Sequence, residues 1–288
     1  MDQKPILAIL YDFDHTLSPK DMQEYGFIPE LGIEASEFWA ECGRETVRNQ
    51  MDHILSYMYT MIRKARGKVL LTRDTLVAMG AGVKLYDGVD TWFERINAYA
   101  RQSGLEPEHY ILSSGLKEII EGTQIAGEFK EIYAGSFVYD EDGVPVWPAM
   151  AVNYTSKTQF VFRINKGILD VTEDRQINAY MPKDRRRVPF TNMIYIGDGF
   201  TDVPCMRLVK SSGGHSIAVW SHDRETADRL LREGRVDFVC EADYTEGSRI
   251  ECTVMTVIDE VAAHARTRAL HVQAADEAKR DGEAILEL

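Results

Sequence analysis

The sequence predicts an α/β protein with a doubly wound parallel sheet, and three features of the residue pattern support that fold class. Apolar runs typical of strands alternate with helical patterns through most of the chain, which is the signature of a parallel sheet covered by helices on both faces. Residues 18–87 interrupt the alternation with helical patterns alone. Residues 131–147 interrupt it again, with two β-rich runs on either side of a turn.

The alternating elements follow one another in a regular order. The first strand is PILAILYDF, and the next helix covers residues 89–104, with Val89, Trp92, Phe93 and Ile96 on one face and Gly104 at its end. The later predicted elements are strands over residues 109–115, 192–199, 215–220 and 236–240, a short helix around Met206 and a helix over residues 223–234.

We interpret the two interruptions as additions to the sheet. Residues 18–87 form a separate helical domain, in which Ile54, Leu55, Met58 and Met61 recur at helical spacing, while residues 1–17 and 88–288 form a discontinuous α/β core. The turn residues in EDG, residues 141–143, predict a β-hairpin that projects from the sheet as a flap. The charged, helix-prone tail over residues 266–288 is assigned no function.

Charge and composition exclude several function classes. The formal net charge of −13 argues against nucleic acid or an anionic membrane as a partner, because clustered Lys and Arg hold such partners. A small phosphate-bearing molecule remains possible where positive charge is local. Four cysteines without a CxxC pair indicate neither a zinc site nor a disulfide framework, and they fit a reducing, cytoplasmic location. The apolar runs are too short for a membrane span.

Acidic and hydroxyl side chains follow three of the predicted strands at the point where each strand ends. Asp12 and Asp14 follow the first strand, Ser113 the second and Asp198 the third, with Asp202 shortly after it. Ligands of open parallel sheets bind beyond the carboxyl ends of the strands, so these groups gather at one edge if the three strands are neighbours. Crowded carboxylates repel one another and suit a hard cation with oxygen ligands, for which Mg²⁺ is the leading candidate.

An aspartate at this edge can also act as a nucleophile. Attack of Asp12 on a phosphoryl group would give an aspartyl-phosphate intermediate. Asp14 has the spacing to protonate the leaving oxygen and then to accept a proton from the water that hydrolyses the intermediate. The phosphoryl oxygens need a hydroxyl, backbone amides and an ammonium, which Ser113, Gly115 and Lys157 can supply.

Four motifs, in their order along the chain, resemble those of the haloacid dehalogenase superfamily, and within it the phosphoserine-phosphatase type. They are DFDHTL from residue 12, ILSSG from residue 111, SKTQF from residue 156 and GDGFTD from residue 197, with the helical insert between the first two in the place of this type's cap. The resemblance implies a Rossmann-like core, a helical cap over residues 18–87 and a Mg²⁺-dependent phosphatase acting on a small phosphorylated metabolite.

The resemblance also implies roles for the matching acidic residues. Asp12 would be the nucleophile and a metal ligand, and Asp14 would be the acid/base, with its backbone carbonyl on the metal. Asp198 would bind Mg²⁺, and Thr16 would support the loop. Asp202 would be either a ligand through water or the partner of the motif lysine.

The residues that hold the phosphoryl group leave two alternatives open. Ser113 and Ser114 are adjacent and only one hydroxyl can point to the phosphoryl group, with Gly115 supplying a backbone amide; the strand end favours Ser113. Lys166 competes with Lys157 as the positive residue, and the helix start favours Lys157.

Other functions remain as alternatives to a phosphatase. A phosphomutase of the same superfamily transfers the phosphoryl group to another acceptor, and a non-catalytic protein binds a phosphometabolite without turnover. A dehalogenase is disfavoured because its reaction has no leaving oxygen to protonate, whereas this sequence keeps Asp14.

Within the resemblance, the substrate-binding positions depart from those of a phosphoserine phosphatase. That type uses a cap glutamate and a cap arginine for the amino and carboxylate groups of its substrate. Here the glutamate position is Asp21, with Glu24 one helical turn further on, and the arginine position aligns with Met58. We therefore expect that phosphoserine is not the preferred substrate, unless an arginine reaches the same space from another register: Arg48, Arg63 or Arg66.

Overall fold

The computed structural model describes the backbone of residues 4–286 and, within that range, the side chains of all residues except 275, 276 and 279–286. Its seven strands form one sheet in the order β4-β3-β2-β1-β5-β6-β7, in which every neighbouring pair is parallel except β3 and β4. The strands are β1 (Ile6–Tyr11), β2 (Glu106–Leu116), β3 (Phe129–Tyr139), β4 (Pro145–Met150), β5 (Met193–Gly197), β6 (His215–Trp220) and β7 (Phe238–Glu241).

The α-helices lie between β1 and β2, in the connections between later strands and, in the case of α11, after β7. They are α1 (Phe27–Glu30), α2 (Ala35–Asn49), α3 (His53–Ala65), α4 (Arg73–Gly80), α5 (Val89–Gln102), α6 (Lys117–Glu121), α7 (Lys157–Lys166), α8 (Asp174–Asn178), α9 (Val203–Ser211), α10 (Glu225–Arg232) and α11 (Arg249–Leu286). The doubly wound α/β fold predicted from the sequence is confirmed.

The side chains of β1 alternate between two hydrophobic clusters, one on each face of the sheet. Leu7 and Ile9 pack in a cluster with α5 and α11, whereas Ala8 and Leu10 pack in a cluster with α7, α9 and α10. All six residues of β1 are buried, as expected for a central parallel strand with a face on each layer. Burial on both faces is the reason that its sequence reads as a continuous apolar run.

The inserted helices share the first of these clusters with the sheet. Phe38 of α2, Met61 of α3 and Leu76 of α4 belong to the same buried cluster as Ile9 of β1 and Trp92 of α5. The insert is therefore packed against the sheet through apolar contacts. The division of the chain into a cap over residues 18–87 and a discontinuous core stays a prediction.

The hairpin of β3 and β4 extends past the end of β2. Pairing of β3 with β2 ends at Gly135, and the rest of β3 pairs with β4 in antiparallel register. Gly143 in the turn has a φ of 75°, a left-handed conformation that glycine adopts without steric cost. The carbonyl of Gly143 accepts a hydrogen bond from the backbone N–H of Arg73 at 3.1 Å, which joins the hairpin tip to the start of α4.

Two boundaries differ from the sequence patterns. Strand β2 begins at Glu106, three residues before the apolar run, because its first residues pair with β1 through backbone groups that need no apolar side chain. Helix α11 begins at Arg249, well before the charged tail, and its first turns bury Ile250, Val254 and Ile258. Among the residues that the structure describes, no helix combines the length and apolar character needed to cross a bilayer.

A chain of buried polar groups connects β1, β2 and α5. The indole N–H of Trp92 donates to the Tyr11 hydroxyl at 2.9 Å, and that hydroxyl lies 3.0 Å from Nδ1 of His109. Nε2 of His109 lies 3.0 Å from Oδ1 of Asn97. Burial, with a smaller contribution from the charge of Arg101, lowers the pKa of His109 to about 3, so the imidazole is neutral in the folded protein at neutral pH.

We predict that His109 makes the protein sensitive to mild acid. In the unfolded chain the imidazole of His109 binds a proton below about pH 6.5, whereas in the folded protein it does so only below about pH 3. The free energy of unfolding therefore falls as the pH falls through this window. Between pH 7 and pH 5 the loss is about 2 kcal/mol. Urea denaturation of His109→Gln at pH 7 and pH 5 should show a drop smaller by that amount, whereas the exposed His264→Gln should keep the wild-type drop. An equal drop in the two variants would contradict this role.

Candidate functional site

The candidate site lies where the carboxyl ends of three neighbouring strands meet. Strands β2, β1 and β5 are adjacent, so Asp12 after β1, Ser113 near the end of β2 and Asp198 after β5 come to the same edge of the sheet. The backbone N–H of Asp12 donates to the carbonyl of Ile196 at 2.9 Å, which extends the β1–β5 pairing to the site itself. The strand adjacency that the sequence required is thus present.

A fully buried ammonium joins two of the carboxylates. Lys157 is the first residue of α7, is 0% exposed, and places Nζ 2.8 Å from Oδ2 of Asp12 and 2.8 Å from Oδ1 of Asp202. The hydroxyl of Tyr195 donates to the same Oδ1 of Asp202 at 2.7 Å. Burial opposes the charged form of Lys157, yet the two carboxylates outweigh it and raise its pKa above the usual range. The lysine is therefore a permanent cation in the site.

Three carboxylates form an acidic cluster beside this ammonium. Asp12, Asp198 and Asp202 each offer an oxygen within 4.8 Å of the others. Burial, followed by the charge of Asp202, raises the pKa of Asp12 to about 6, and burial with the charges of Asp202 and Asp12 raises the pKa of Asp198 to about 8. Carboxylate oxygens at this spacing are the donors that Mg²⁺ prefers, and a cation would offset the repulsion that raises these pKa values, so the residues present fit that ion.

Asp14 is held by the insert. Its Oδ1 accepts a hydrogen bond from the backbone N–H of Met22 at 2.8 Å. A Cβ atom added to Gly115 would lie 2.1 Å from Cε of Met22 and 3.0 Å from Oδ2 of Asp14, so a larger residue would displace the Met22 side chain. Burial, followed by the charges of Asp21 and Asp12, raises the pKa of Asp14 well above its usual range. A carboxyl group with this shift can carry a proton near neutral pH.

Both serines of β2 lie at the same edge of the sheet as the acidic cluster. Ser113 is fully buried, and its Oγ accepts a hydrogen bond from the backbone N–H of Gly115 at 3.0 Å. The Oγ of Ser114 is buried and has no hydrogen-bond partner among the described residues. The choice between the two hydroxyls stays a prediction.

The two lysines have different surroundings. Nζ of Lys166, at the end of α7, donates to the carbonyls of Ile177 and Ala179, whereas Lys157 contacts the carboxylates. Thr16 is fully buried in the loop after Asp14, and its carbonyl accepts a hydrogen bond from the Tyr244 hydroxyl at 2.8 Å. The choice of Lys157 over Lys166 and the supporting role of Thr16 stay predictions.

The proposed specificity residues lie on the insert. Asp21 has a carboxyl oxygen 3.5 Å from Nε2 of His15, a contact that raises the pKa of His15 to about 9. Oε1 of Glu24 accepts a hydrogen bond from the indole N–H of Trp39 at 3.3 Å. Met58 is fully buried in the hydrophobic cluster shared with the sheet. Their roles in substrate choice stay predictions.

Three contacts of the site were missing from the sequence interpretation. They come from Tyr195, whose hydroxyl bonds Asp202, from Met22, whose backbone N–H bonds Asp14, and from Tyr57, whose hydroxyl donates to the Ser114 carbonyl at 2.8 Å. A tyrosine inside the apolar strand NMIYIG signals a buried hydroxyl in need of a partner. The Met22 contact is made by backbone and leaves no sequence signal.

Comparison with known proteins decides the family. A family model described as haloacid dehalogenase-like hydrolase matches residues 9–207, more than half of the chain and all four motifs. The chain belongs to this haloacid dehalogenase-like hydrolase family. A protein of Borreliella burgdorferi, described as uncharacterized, is 29% identical over 287 residues, covering 89% of this chain and 98% of its own length.

Solved structures of low sequence identity share the haloacid dehalogenase-like fold. A HAD family hydrolase of Salmonella enterica serovar Typhi has a TM-score of 0.55 at 17% identity, covering 90% of this chain and 74% of that one. A probable phosphoserine phosphatase of Vibrio cholerae has a TM-score of 0.54 at 12% identity, covering 91% and 68%. A substrate-bound phosphoserine phosphatase complex has a TM-score of 0.53 at 14% identity, covering 82% and 93%.

We predict that Lys157 is needed for stability in this haloacid dehalogenase-like hydrolase. Lys157→Met removes the ammonium and leaves Asp12 and Asp202 buried without their counter-charge, which typically costs about 3 to 5 kcal/mol. Urea denaturation at pH 7 measures the loss. The control Lys166→Met, on the same helix, removes only hydrogen bonds to carbonyls and should cost about 1 kcal/mol. Losses of equal size in the two variants would show that the ion pair is not the cause.

Proposed function

We propose that this hydrolase is a Mg²⁺-dependent phosphatase that hydrolyses a small phosphorylated metabolite through an aspartyl-phosphate on Asp12. The observation that carries the proposal is the position of Lys157, whose buried ammonium lies 2.8 Å from the Asp12 carboxylate at the carboxyl end of the central strand. A buried ammonium beside a nucleophilic carboxylate provides the positive charge that a transferring phosphoryl group needs.

In this mechanism Asp12 attacks the phosphorus and Asp14 moves the protons. The raised pKa of Asp14 allows its carboxyl group to be protonated before the attack and to give that proton to the leaving oxygen. The resulting carboxylate then accepts a proton from the water that cleaves the aspartyl-phosphate. The Met22 N–H, bonded to Oδ1 of Asp14, holds the carboxyl group in one orientation during both transfers.

The phosphoryl oxygens are held by groups from β2 and α7. We assign the hydroxyl to Ser113, with Ser114 as its neighbour, the backbone amide to Gly115 and the ammonium to Lys157. Asp202 orients Lys157 through their 2.8 Å contact. Mg²⁺ bound by Asp12, the Asp14 carbonyl and Asp198 would supply further positive charge against the phosphoryl oxygens. Thr16 supports the loop that carries both aspartates.

The decisive experiment is a panel of phosphorylated small metabolites incubated with the protein and Mg²⁺. Inorganic phosphate should appear in step with the loss of substrate, and a chelator should abolish the release until Mg²⁺ is restored. An isomeric phosphate ester in place of inorganic phosphate would favour a phosphomutase. Binding without any turnover would favour a phosphometabolite-binding protein.

We predict that Asp12→Asn abolishes turnover. An amide cannot attack phosphorus, and removal of a covalent nucleophile lowers kcat by several orders of magnitude. The exposed Asp74→Asn, a matched change on α4, should leave kcat within twofold of wild type. Phosphate release by Asp12→Asn at the wild-type rate would refute the nucleophile.

We also predict that phosphoserine is a poor substrate. Met58, at the arginine position, is fully buried. Of the arginines that could replace it, Arg63 pairs with Glu41, whereas Arg48 and Arg66 are exposed, which favours a substrate without a free carboxylate. Loss of a charged partner for a buried carboxylate typically costs about 2 to 5 kcal/mol. Values of kcat/KM across the metabolite panel test the prediction, which fails if phosphoserine ranks first by tenfold or more.

A further inference from the structure

Helix α3 of the insert is hydrogen-bonded to both segments that we assign to the phosphoryl group. Near the middle of the helix, Tyr57 is 3% exposed and its hydroxyl donates to the Ser114 carbonyl at 2.8 Å. At the start of the helix, Oδ2 of Asp52 accepts a hydrogen bond from the side-chain amide of Asn153 at 2.9 Å. One rigid helix therefore contacts the end of β2 and the loop before α7.

The first contact fixes a peptide group inside the site. The Ser114 carbonyl and the Gly115 N–H belong to the same peptide unit, which is planar, so a bond to the carbonyl also sets the direction of the N–H. That N–H points to Oγ of Ser113 at 3.0 Å. A hydrogen bond to the carbonyl also polarises the peptide and makes its N–H a stronger donor.

The second contact fixes the residue that starts α7. Oδ1 of Asn153 accepts hydrogen bonds from the backbone of Thr155 at 3.0 Å and Ser156 at 2.8 Å, and its carbonyl accepts one from the backbone N–H of Lys157 at 2.9 Å. Asn153 thus organises the turn that carries Lys157, and Asp52 holds Asn153. The other oxygen of Asp52 caps α3 itself, through the backbone of Ile54 at 2.9 Å and Leu55 at 3.2 Å.

We propose that α3 sets the separation of the two phosphoryl-holding segments, with Tyr57 and Asp52 as positioning residues. The inference rests on the proposed phosphatase function. Neither residue touches the reacting atoms; each acts through a neighbour, Tyr57 through the Ser114–Gly115 peptide and Asp52 through Asn153. Displacement of catalytic groups by about 1 Å can cost about 100-fold in rate, so loss of either contact lowers the rate of the chemical step.

Two variants remove the contacts while keeping the helix. Tyr57→Phe deletes only the hydroxyl. Asp52→Asn retains one oxygen to cap α3 but presents an amide to the amide of Asn153, so the contact between them is lost. Tyr59→Phe is the matched control, because Tyr59 lies on the same helix and is 48% exposed.

The readouts are steady-state hydrolysis of p-nitrophenyl phosphate with Mg²⁺ and inhibition by inorganic phosphate, which occupies only the phosphoryl pocket. For Tyr57→Phe and Asp52→Asn we expect kcat to fall about tenfold, KM to change less than threefold and the inhibition constant of phosphate to rise about tenfold. The control should match wild type in all three. Circular dichroism measures the folded fraction at the assay temperature.

Three outcomes would overturn the positioning role of α3. Wild-type kcat and phosphate inhibition in both variants would show that the contacts do not position the site. Activity that falls only in proportion to the folded fraction would show a merely structural role. If the wild-type protein itself releases no phosphate from any substrate, both the proposed function and the positioning role of α3 are wrong. Normal wild-type turnover with unaffected variants rejects the positioning role alone.

Discussion

The ion pair between Lys157 and the carboxylates of Asp12 and Asp202 is the interaction on which the arrangement of the site depends. It joins α7, the end of β1 and the turn before α9, three segments far apart in sequence, through contacts of 2.8 Å. Taking these charges out of water costs several kcal/mol per ion, which is recovered only when each charge meets its partner at good geometry. The strand order and the start of α7 must therefore both be correct before the charges balance.

The insert completes the site without contributing a carboxylate to the acidic cluster. It reaches Asp14 through the backbone of Met22 and reaches β2 through the Tyr57 hydroxyl, while its apolar side chains join the hydrophobic cluster on one face of the sheet. Packing of this face and orientation of the polar groups are consequently linked. Met22 belongs to this cluster, so a substitution that repacks its side chain can shift the backbone N–H that holds Asp14.

The sequence predicted the parts of the site that follow strand ends, because a polar residue after an apolar run marks an edge of the sheet. Asp12 and Asp198 directly follow β1 and β5, and Ser113 lies three residues before the end of β2. The alternation of strand and helix patterns likewise predicted the doubly wound fold. Contacts made by backbone atoms, such as that of Met22, depend on tertiary geometry and leave no pattern in the residue types. The Tyr57 contact could not be predicted for a different reason: an aromatic residue on a helix is assigned to the hydrophobic core unless the position of its hydroxyl is known. The start of β2 at Glu106 could not be predicted because its backbone pairing with β1 begins three residues before the apolar run.

The central place of β1 has a consequence for the way the chain folds. Ile6 pairs with Glu106 and Ala8 with Met193, so the middle strand of the sheet is synthesised long before either of its neighbours. One edge of this apolar strand stays unpaired until β2 is made, and the other stays unpaired until β5 is made, when about two-thirds of the 288 residues have been synthesised. Strand pairing over such distances in sequence slows folding and favours aggregation-prone intermediates. Production of the intact protein should therefore respond to chaperone levels and growth temperature more than that of a protein of similar size with local contacts.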